Sequence, residues 1–252
     1  KKAINYDKVF FFNLKGDEVE EEIERLMDDR DFLMENLVYG EKLGRFTYVE
    51  DDMKMYRKFL QSTVKTSFVG YKVVVDTANG AAYRVAAKVL QNLGAEVVVI
   101  NNTPTGKNVN CGSTHPEKLC EAVKLFEADM GIAYDGDADR LIAVDEKGIV
   151  LDGDIVVSIL AMNLHSKGML NSNKVVTTVL TNMGVEKYLE DNNIRLIRSN
   201  VGDRYVLEKM RTYALNLGGE QSGHVIMLDY NTTGDGILTS IQLMQAFIES
   251  GK

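Results

Sequence analysis

Three aspartates, Asp135, Asp137 and Asp139, alternate with small residues directly after the apolar segment 130–134. Side chains two residues apart on an extended segment point to the same side, so the three carboxylates should lie close together. Carboxylates that close repel one another unless a cation lies between them, and oxygen ligands favour Mg²⁺ or Ca²⁺ over zinc. The pattern therefore predicts a site for a divalent cation.

Arg140 follows these carboxylates directly. A guanidinium beside a cation site is suited to a further anion, such as a phosphate that also meets the metal. A structural ion pair within the loop is the alternative. An EF-hand is excluded, because Arg140 stands at the position where that calcium loop requires glycine.

A second polar motif combines glycines with groups that can hydrogen-bond a sugar, in the order Gly218-Gly219-Glu220-Gln221-Ser222-Gly223-His224. Its glycines would let the backbone approach a ligand closely. Glu220, Ser222 and His224 alternate, so they could face one small hydroxyl-rich molecule. A plain glycine-rich turn is the alternative. Upstream, Arg204 lies at a predicted helix start, where anions bind readily.

Strands and helices alternate along most of the chain and predict an α/β fold. We expect two consecutive α/β domains with mixed, mainly parallel sheets, at residues 51–150 and 151–252. Residues 1–50, with an apolar run at 9–12 and an acidic helix at 17–27, are too little for a third core. Predicted strands are 71–76, 95–100, 130–134, 141–144, 149–151, 174–180, 194–198 and 225–228, and predicted helices are 81–93, 114–128, 154–167, 185–191, 203–213 and 235–249.

Composition argues against several classes of protein. The 252 residues carry a net charge of −8, which argues against sequence-independent binding to nucleic acid. No apolar run is long enough to cross a membrane, and the first residues lack the apolar core of a secretory signal. The two cysteines, Cys111 and Cys120, suggest reduced thiols. We therefore expect a cytoplasmic protein with no nucleic-acid or membrane partner.

The motifs, taken in order, resemble those of the α-phosphohexomutase superfamily. The resemblance runs over nearly the whole chain, and the forms Asn-Cys-Gly-Ser-Thr-His-Pro, Val-Gly-Asp-Arg-Tyr-Val and Gly-Glu-Gln-Ser-Gly-His point to its glucosamine branch. The segments that carry it are 76–81, 110–117, 135–140, 201–206, 219–224 and 229–236.

This resemblance implies a four-domain enzyme around a central cleft. Residues 1–50 would be the end of its first domain, 51–150 its second and 151–252 its third. One Mg²⁺ per chain would be held by Asp135, Asp137 and Asp139, and Arg140 would stabilise the transferring phosphoryl group. A hexosamine phosphate would be bound by Glu220, Ser222, His224 and Arg204.

The implied chemistry is phosphoryl transfer from a phosphoserine in a Ser-His-Asn loop to glucosamine 6-phosphate. A bisphosphate sugar would be the intermediate, and glucosamine 1-phosphate, destined for UDP-N-acetylglucosamine, the product. The complete enzyme could be a homodimer. No serine of this sequence precedes His-Asn, so we expect the 252-residue chain alone to be inactive. Two alternatives stay open: a phosphomannomutase/phosphoglucomutase, and a non-catalytic protein that binds metal and sugar phosphate.

Overall fold

The computed structural model describes residues 16–43, 53–105 and 110–251. The chain divides into two compact units, Lys1–Asp52 and Met53–Lys252. The apolar run predicted at 9–12 lies outside the described residues. No described helix combines the length and the apolar character that a membrane crossing requires.

In the first unit, the described residues form two helices and a short 3-10 turn. Helix α1 spans Gly16–Asp28, α2 spans Arg30–Glu35, and the turn spans Gly40–Lys42. The acidic helix predicted at 17–27 is confirmed by α1. Asp29 separates the two helices, and its carboxylate accepts a hydrogen bond from the Phe32 N–H at 2.9 Å. This contact is a side-chain cap that starts the second helix.

The second unit begins with helix α3 and a five-stranded sheet. Its strand order is β2-β1-β3-β4-β5, with β1 parallel to β2 and β3, and with β4 antiparallel to both of its neighbours. The valine run in β1 is completely buried, as expected for a strand covered on both faces. These elements are α3 (Lys54–Ser62), β1 (Lys72–Asp76), α4 (Ala86–Asn92), β2 (Glu96–Ile100), α5 (Glu117–Leu125), β3 (Met130–Tyr134), β4 (Leu141–Asp145) and β5 (Val150–Leu151).

A four-stranded sheet follows, in the order β7-β6-β8-β9. Strands β7 and β8 are parallel to β6, and β9 is antiparallel to β8. The elements are α6 (Gly153–Ser166), β6 (Lys174–Thr178), α7 (Met183–Asp191), β7 (Arg195–Ser199), α8 (Asp203–Thr212), β8 (Leu217–Gly219), β9 (Val225–Met227) and α9 (Gly236–Ser250). The expected fold class, α/β with mixed and mainly parallel sheets, is confirmed.

Two local predictions were wrong. The single helix predicted at 81–93 is a 3-10 turn, Ala81–Arg84, followed by α4, because the chain leaves helical hydrogen bonding at Val85. The helix predicted from Thr114 begins only at Glu117, after Pro116, and no side chain caps it.

Helix α9 joins the two sheets into one core. Its residues from Gly236 to Ala246 are buried, and one apolar cluster contains side chains of both sheets and of this helix. Polar contacts reinforce the junction. The Tyr134 hydroxyl donates to Ser240 Oγ at 2.8 Å, and Gln242 donates to the Thr63 hydroxyl at 2.9 Å. The loops that follow β3 and β8 are therefore held in one packed body.

Candidate metal and sugar-phosphate site

The three predicted aspartates lie in the loop between β3 and β4, which we call the metal loop (residues 135–140). Asp135, Asp137 and Asp139 each offer a carboxylate oxygen, and the three oxygens lie within 4.8 Å of one another. Ala138 has a positive φ of 67°, which turns the chain inside the loop. The structure thus brings together the groups that the sequence predicted would be neighbours.

Burial and mutual repulsion govern the charge of this cluster. Burial, with the adjacent Asp139 carboxyl, raises the pKa of Asp135 to about 7. Burial alone would raise the pKa of Asp139, but its hydrogen bond with Asp135 and the nearby His224 lower it. One pKa raised and its neighbour's lowered is the expected response of two acids forced together. A divalent cation would relieve the repulsion between the carboxylates, and all three donors are the oxygens that Mg²⁺ prefers.

Arg140 is tied to the same loop. Its backbone N–H donates to Asp135 Oδ1 at 3.2 Å. Its guanidinium Nε lies 3.8 Å from an Asp135 oxygen and 3.9 Å from an Asp139 oxygen. The side chain is nevertheless about half exposed, so its outer face can meet an incoming anion. Its predicted role toward phosphate stays a prediction.

The second motif connects β8 to β9, and we call residues 220–224 the sugar loop. Backbone contacts fasten it to the metal loop. The Leu141 N–H donates to the Gly223 carbonyl at 3.0 Å, and Arg140 forms a β-bridge with His224. A side chain at Gly223 would stand 2.1 Å from the Leu141 carbonyl oxygen. Glycine is therefore required here by the close approach of two chain segments.

Gly218 and Gly219 do not approach a ligand as the sequence suggested. They lie in strand β8, and the space at their α-carbons is filled by neighbouring side chains and backbone. A β-carbon at Gly218 would lie 2.6 Å from the Met210 sulfur, and one at Gly219 would lie 2.7 Å from Val157. These two glycines serve the packing of the sheet against its helices.

His224 connects the metal loop to the segment before α9. The ring is 4% exposed, and its Nδ1 lies 3.0 Å from Asp139 Oδ2. The Gly234 N–H donates to Nε2 at 3.1 Å. Because Nε2 accepts this bond, the proton of the neutral ring lies on Nδ1 and is donated to Asp139. Both ring nitrogens are occupied, so the expected contact of His224 with a sugar stays a prediction.

The two loops share a cavity of about 570 Å³. Glu220 is half-buried there, and its Oε1 accepts a hydrogen bond from the Gly202 N–H at 2.9 Å. Ser222 is exposed at the cavity, whereas the exposed Arg204 does not line it. The lining residues are Asp139, Arg140, Thr178, Leu180, Val201, Gly202, Asp203, Glu220, Gln221, Ser222 and His224.

Sequence reasoning missed several of these residues. Asp203 lines the cavity, and one of its carboxylate oxygens lies 3.8 Å from His224 Nε2. In the sequence, Asp203 looks like an ordinary acidic residue in the first turn of a helix, and nothing there indicates that it lines a cavity. Thr178 and Leu180 were recognisable only as the carboxyl end of a parallel strand, where ligands of α/β proteins commonly bind.

A larger cavity of about 880 Å³ lies among α6, α7 and α9. Its lining is mostly apolar, and none of the predicted site residues belongs to it. The smaller cavity adjoins the metal loop and contains Asp139, Arg140 and all the predicted residues of the sugar loop, so it is the better candidate for the functional site.

Comparison with known proteins gives the family of the chain. Residues 48–148 match the family described as phosphoglucomutase/phosphomannomutase, alpha/beta/alpha domain II, and residues 152–252 match its domain III. The chain belongs to the phosphoglucomutase/phosphomannomutase family. The metal loop and the sugar loop fall in different matched regions, one in each.

Individual family members agree with this result. Phosphoglucosamine mutase of Fusobacterium nucleatum is 54% identical over 96% of this chain and 55% of the relative. The chain thus spans about half the length of the curated relative. A phosphoglucomutase/phosphomannomutase family protein from Burkholderia thailandensis shares the fold with a TM-score of 0.71 and 26% identity, over 78% of this chain and 43% of that one.

A second solved structure shows the same fold at lower identity. Aspergillus fumigatus N-acetylphosphoglucosamine mutase, solved in complex with GlcNAc-6P and magnesium, has a TM-score of 0.62 and 18% identity. The match covers 82% of this chain and 49% of that protein.

Proposed function

We propose that this chain takes part in the phosphoglucosamine mutase reaction, the interconversion of glucosamine 6-phosphate and glucosamine 1-phosphate. The observation that carries the proposal is the 3.0 Å contact between Asp139 and His224, which joins the metal loop and the sugar loop in one cavity. The choice of amino sugar is supported by the 54% identity to the Fusobacterium nucleatum enzyme.

In the proposed reaction, a phosphoryl group leaves a phosphoserine oxygen for the 1-hydroxyl of glucosamine 6-phosphate. The resulting bisphosphate then returns its 6-phosphoryl group to the serine and leaves glucosamine 1-phosphate. Phosphoryl transfer needs little covalent help from the protein, and it depends on positioning and on stabilising negative charge. The residues of this cavity are suited to both tasks.

Asp135, Asp137 and Asp139 would hold Mg²⁺. Two observations support the choice of this ion: the three carboxylate oxygens are clustered, and the Aspergillus fumigatus protein was solved in complex with magnesium. When bound, the ion would neutralise negative charge on the transferring phosphoryl group. Arg140 would add a second positive charge through the exposed part of its guanidinium.

The sugar would be bound by residues of the sugar loop. Glu220 can accept hydrogen bonds from sugar hydroxyls, since within the described part of the chain its Oε1 alone is engaged, by the Gly202 N–H. Ser222 can donate or accept. His224 would act mainly by orienting Asp139, because both of its ring nitrogens are engaged. A phosphate contact of Arg204 remains part of the proposal, although Asp203 lies nearer the cavity.

The domain assignment belongs to the same proposal. Residues 1–50 would end a first domain, residues 51–150 would form the domain with the metal loop, and residues 151–252 the domain with the sugar loop. No serine of this sequence precedes His-Asn, so we expect the purified 252-residue chain to show no mutase turnover.

A chimera tests the proposal directly. This chain would replace the matching region of Fusobacterium nucleatum phosphoglucosamine mutase, and turnover would be measured with glucosamine 6-phosphate, mannose 6-phosphate and glucose 6-phosphate. We expect the amino sugar to give the highest kcat/KM, and the Asp137→Asn chimera to be inactive. A folded chimera that prefers mannose or glucose phosphate would contradict the proposed substrate, and turnover by the 252-residue chain alone would contradict its proposed inactivity.

A further inference from the structure

A buried carboxylate lies below the metal loop, at the carboxyl end of β1. Asp76 is fully buried and accepts three hydrogen bonds. Its Oδ1 accepts from the Ala78 N–H at 2.8 Å. Its Oδ2 accepts from the Asn101 side-chain amide at 2.8 Å and from the Gly112 N–H at 3.1 Å. Asp76 thus connects three segments that are far apart in the sequence.

Two of these segments bond directly to the metal loop or to the residue that leads into it. The Ala81 N–H donates to the Gly136 carbonyl at 2.8 Å, and the Ser113 N–H donates to the Tyr134 carbonyl at 2.8 Å. The donor Ala81 lies three residues after Ala78, and the donor Ser113 directly follows Gly112; Ala78 and Gly112 are both partners of Asp76. The loop is therefore held from two sides, at positions directly before and after Asp135.

Both segments approach the loop so closely that glycine is needed at each contact. A β-carbon at Gly80 would stand 2.3 Å from the Gly136 carbonyl oxygen. One at Gly112 would stand 2.4 Å from the Tyr134 carbonyl oxygen. Contacts this close leave the backbone on either side of Asp135 little freedom to shift.

We propose that Asp76 is a positioning residue, which fixes the metal loop through the segments 78–81 and 112–113 so that its three carboxylates stay close enough to bind one cation. The loop needs such support because its carboxylates repel one another when no cation is present. The inference rests on the proposed metal site, and it assigns a function to the two sequence motifs that the reaction itself does not use.

The first test removes the charge of Asp76 and measures cation affinity. Mn²⁺ binding to the full chain would be followed by electron paramagnetic resonance in the absence of sugar. Asp76→Asn keeps the size of the side chain but can present an amide to the Asn101 and Gly112 donors. We expect the Mn²⁺ dissociation constant to rise about tenfold, within the range seen when groups behind metal ligands are altered.

The matched control is Asp154→Asn. Asp154 is also a buried carboxylate, and its Oδ2 accepts a hydrogen bond from the Asn182 N–H at 2.8 Å, but its partner lies in the second sheet's loops. We expect both variants to lower the melting temperature and only Asp76→Asn to weaken Mn²⁺ binding. Equal dissociation constants in folded Asp76→Asn and Asp154→Asn would overturn the proposal.

A second pair of variants covers the case in which Asp76→Asn does not fold. Gly80→Ala pushes directly on the backbone at the Gly136 carbonyl, whereas Gly131→Ala clashes with side chains only, 2.6 Å from Val123, within the core beneath α5. We expect weaker Mn²⁺ binding only for Gly80→Ala, and unchanged binding there would count against the proposal. Absence of Mn²⁺ binding by the unmodified chain would overturn the proposed metal site as well, whereas equal binding by all variants would overturn the positioning role alone.

Discussion

The two halves of the second unit repeat one strand arrangement and carry different polar residues on it. In each sheet a central strand, β1 or β6, is flanked by two parallel neighbours, and the third strand in sequence pairs with an antiparallel one. The functional loop lies at the same place in both halves, after β3 in the first and after β8 in the second. The first loop carries three carboxylates and the second carries mixed hydrogen-bonding groups.

In the proposed function, the strand arrangement positions each loop and the residues of the loop determine which ligand it binds. The supports beneath the loops differ as well. The metal loop is hydrogen-bonded to segments that also bond to the buried Asp76 carboxylate. The sugar loop is instead held by a hydrogen bond from the Leu141 N–H, in the other half, to the Gly223 carbonyl. Three mutually repelling carboxylates need the more elaborate support, since the sugar loop carries only one, that of Glu220.

The largest effect that we expect is a loss of metal affinity when the metal loop is altered and no loss when the sugar loop is altered. Asp137 is the exposed member of the cluster, so Asp137→Asn should leave the fold intact. We expect the Mn²⁺ dissociation constant to rise by about a hundredfold, because one of three charged ligands is lost. Isothermal titration calorimetry would measure it. Glu220→Gln, in the sugar loop, is the control and should leave Mn²⁺ affinity unchanged. A comparable loss in both variants would mean that the loops do not divide the chemistry.

A smaller effect is expected at the contact between the halves. His224→Ala removes the partner of Asp139 and of the Gly234 N–H, so we expect Mn²⁺ affinity to fall about tenfold and the free energy of unfolding to fall by about 1–3 kcal/mol. Metal titration and urea unfolding would measure the two changes. The partly exposed His165, which contacts Asn173, provides the control His165→Ala. Unchanged metal affinity in His224→Ala would show that the histidine does not orient Asp139.

The next prediction concerns stability without metal binding. The Tyr56 hydroxyl lies 2.7 and 2.8 Å from the two oxygens of Asp235, a largely buried carboxylate that also caps α9. Tyr56→Phe should lower the free energy of unfolding by about 1–2 kcal/mol, because a charge-assisted hydrogen bond is lost.

Urea unfolding would be measured for Tyr56→Phe and for a control, Tyr83→Phe, at a partly exposed tyrosine. We expect one cooperative transition in each protein, since α9 belongs to the core of both halves. Two separate transitions would mean that the halves unfold independently.

The smallest effect is expected in the sugar loop. Ser222→Ala should weaken the binding of glucosamine 6-phosphate by a few-fold, about what one exposed hydrogen bond contributes. The comparison would be made by calorimetry with saturating Mg²⁺, and Ser250→Ala, at the far end of α9, is the control. An unchanged sugar-phosphate affinity in Ser222→Ala would remove that residue from the proposed binding set.

Local patterns determined much of this fold before any contact was known. The buried valine run of β1 and the alternation of strands with helices predicted both sheets, because those patterns depend only on neighbours in the sequence. The clustering of the three carboxylates was predictable from their alternation directly after a strand, although the structure brings them together in a turn at Ala138 and not along an extended segment. Strand β8 was missed because it contains two glycines, which are poor strand formers, and pairing with β6 and β9 overrides that preference.

Long-range contacts were decided by the tertiary structure alone. The sequence placed Asp76 at the end of a strand and His224 in a glycine-rich motif, and it could not show that Asp76 bonds to Gly112 or that His224 contacts Asp139. These partners are separated by 36 residues, from Asp76 to Gly112, and by 85 residues, from Asp139 to His224. The first contact forms when the loops of the first sheet come together, and the second forms when the two sheets pack against each other, since nothing in either local segment specifies its distant partner.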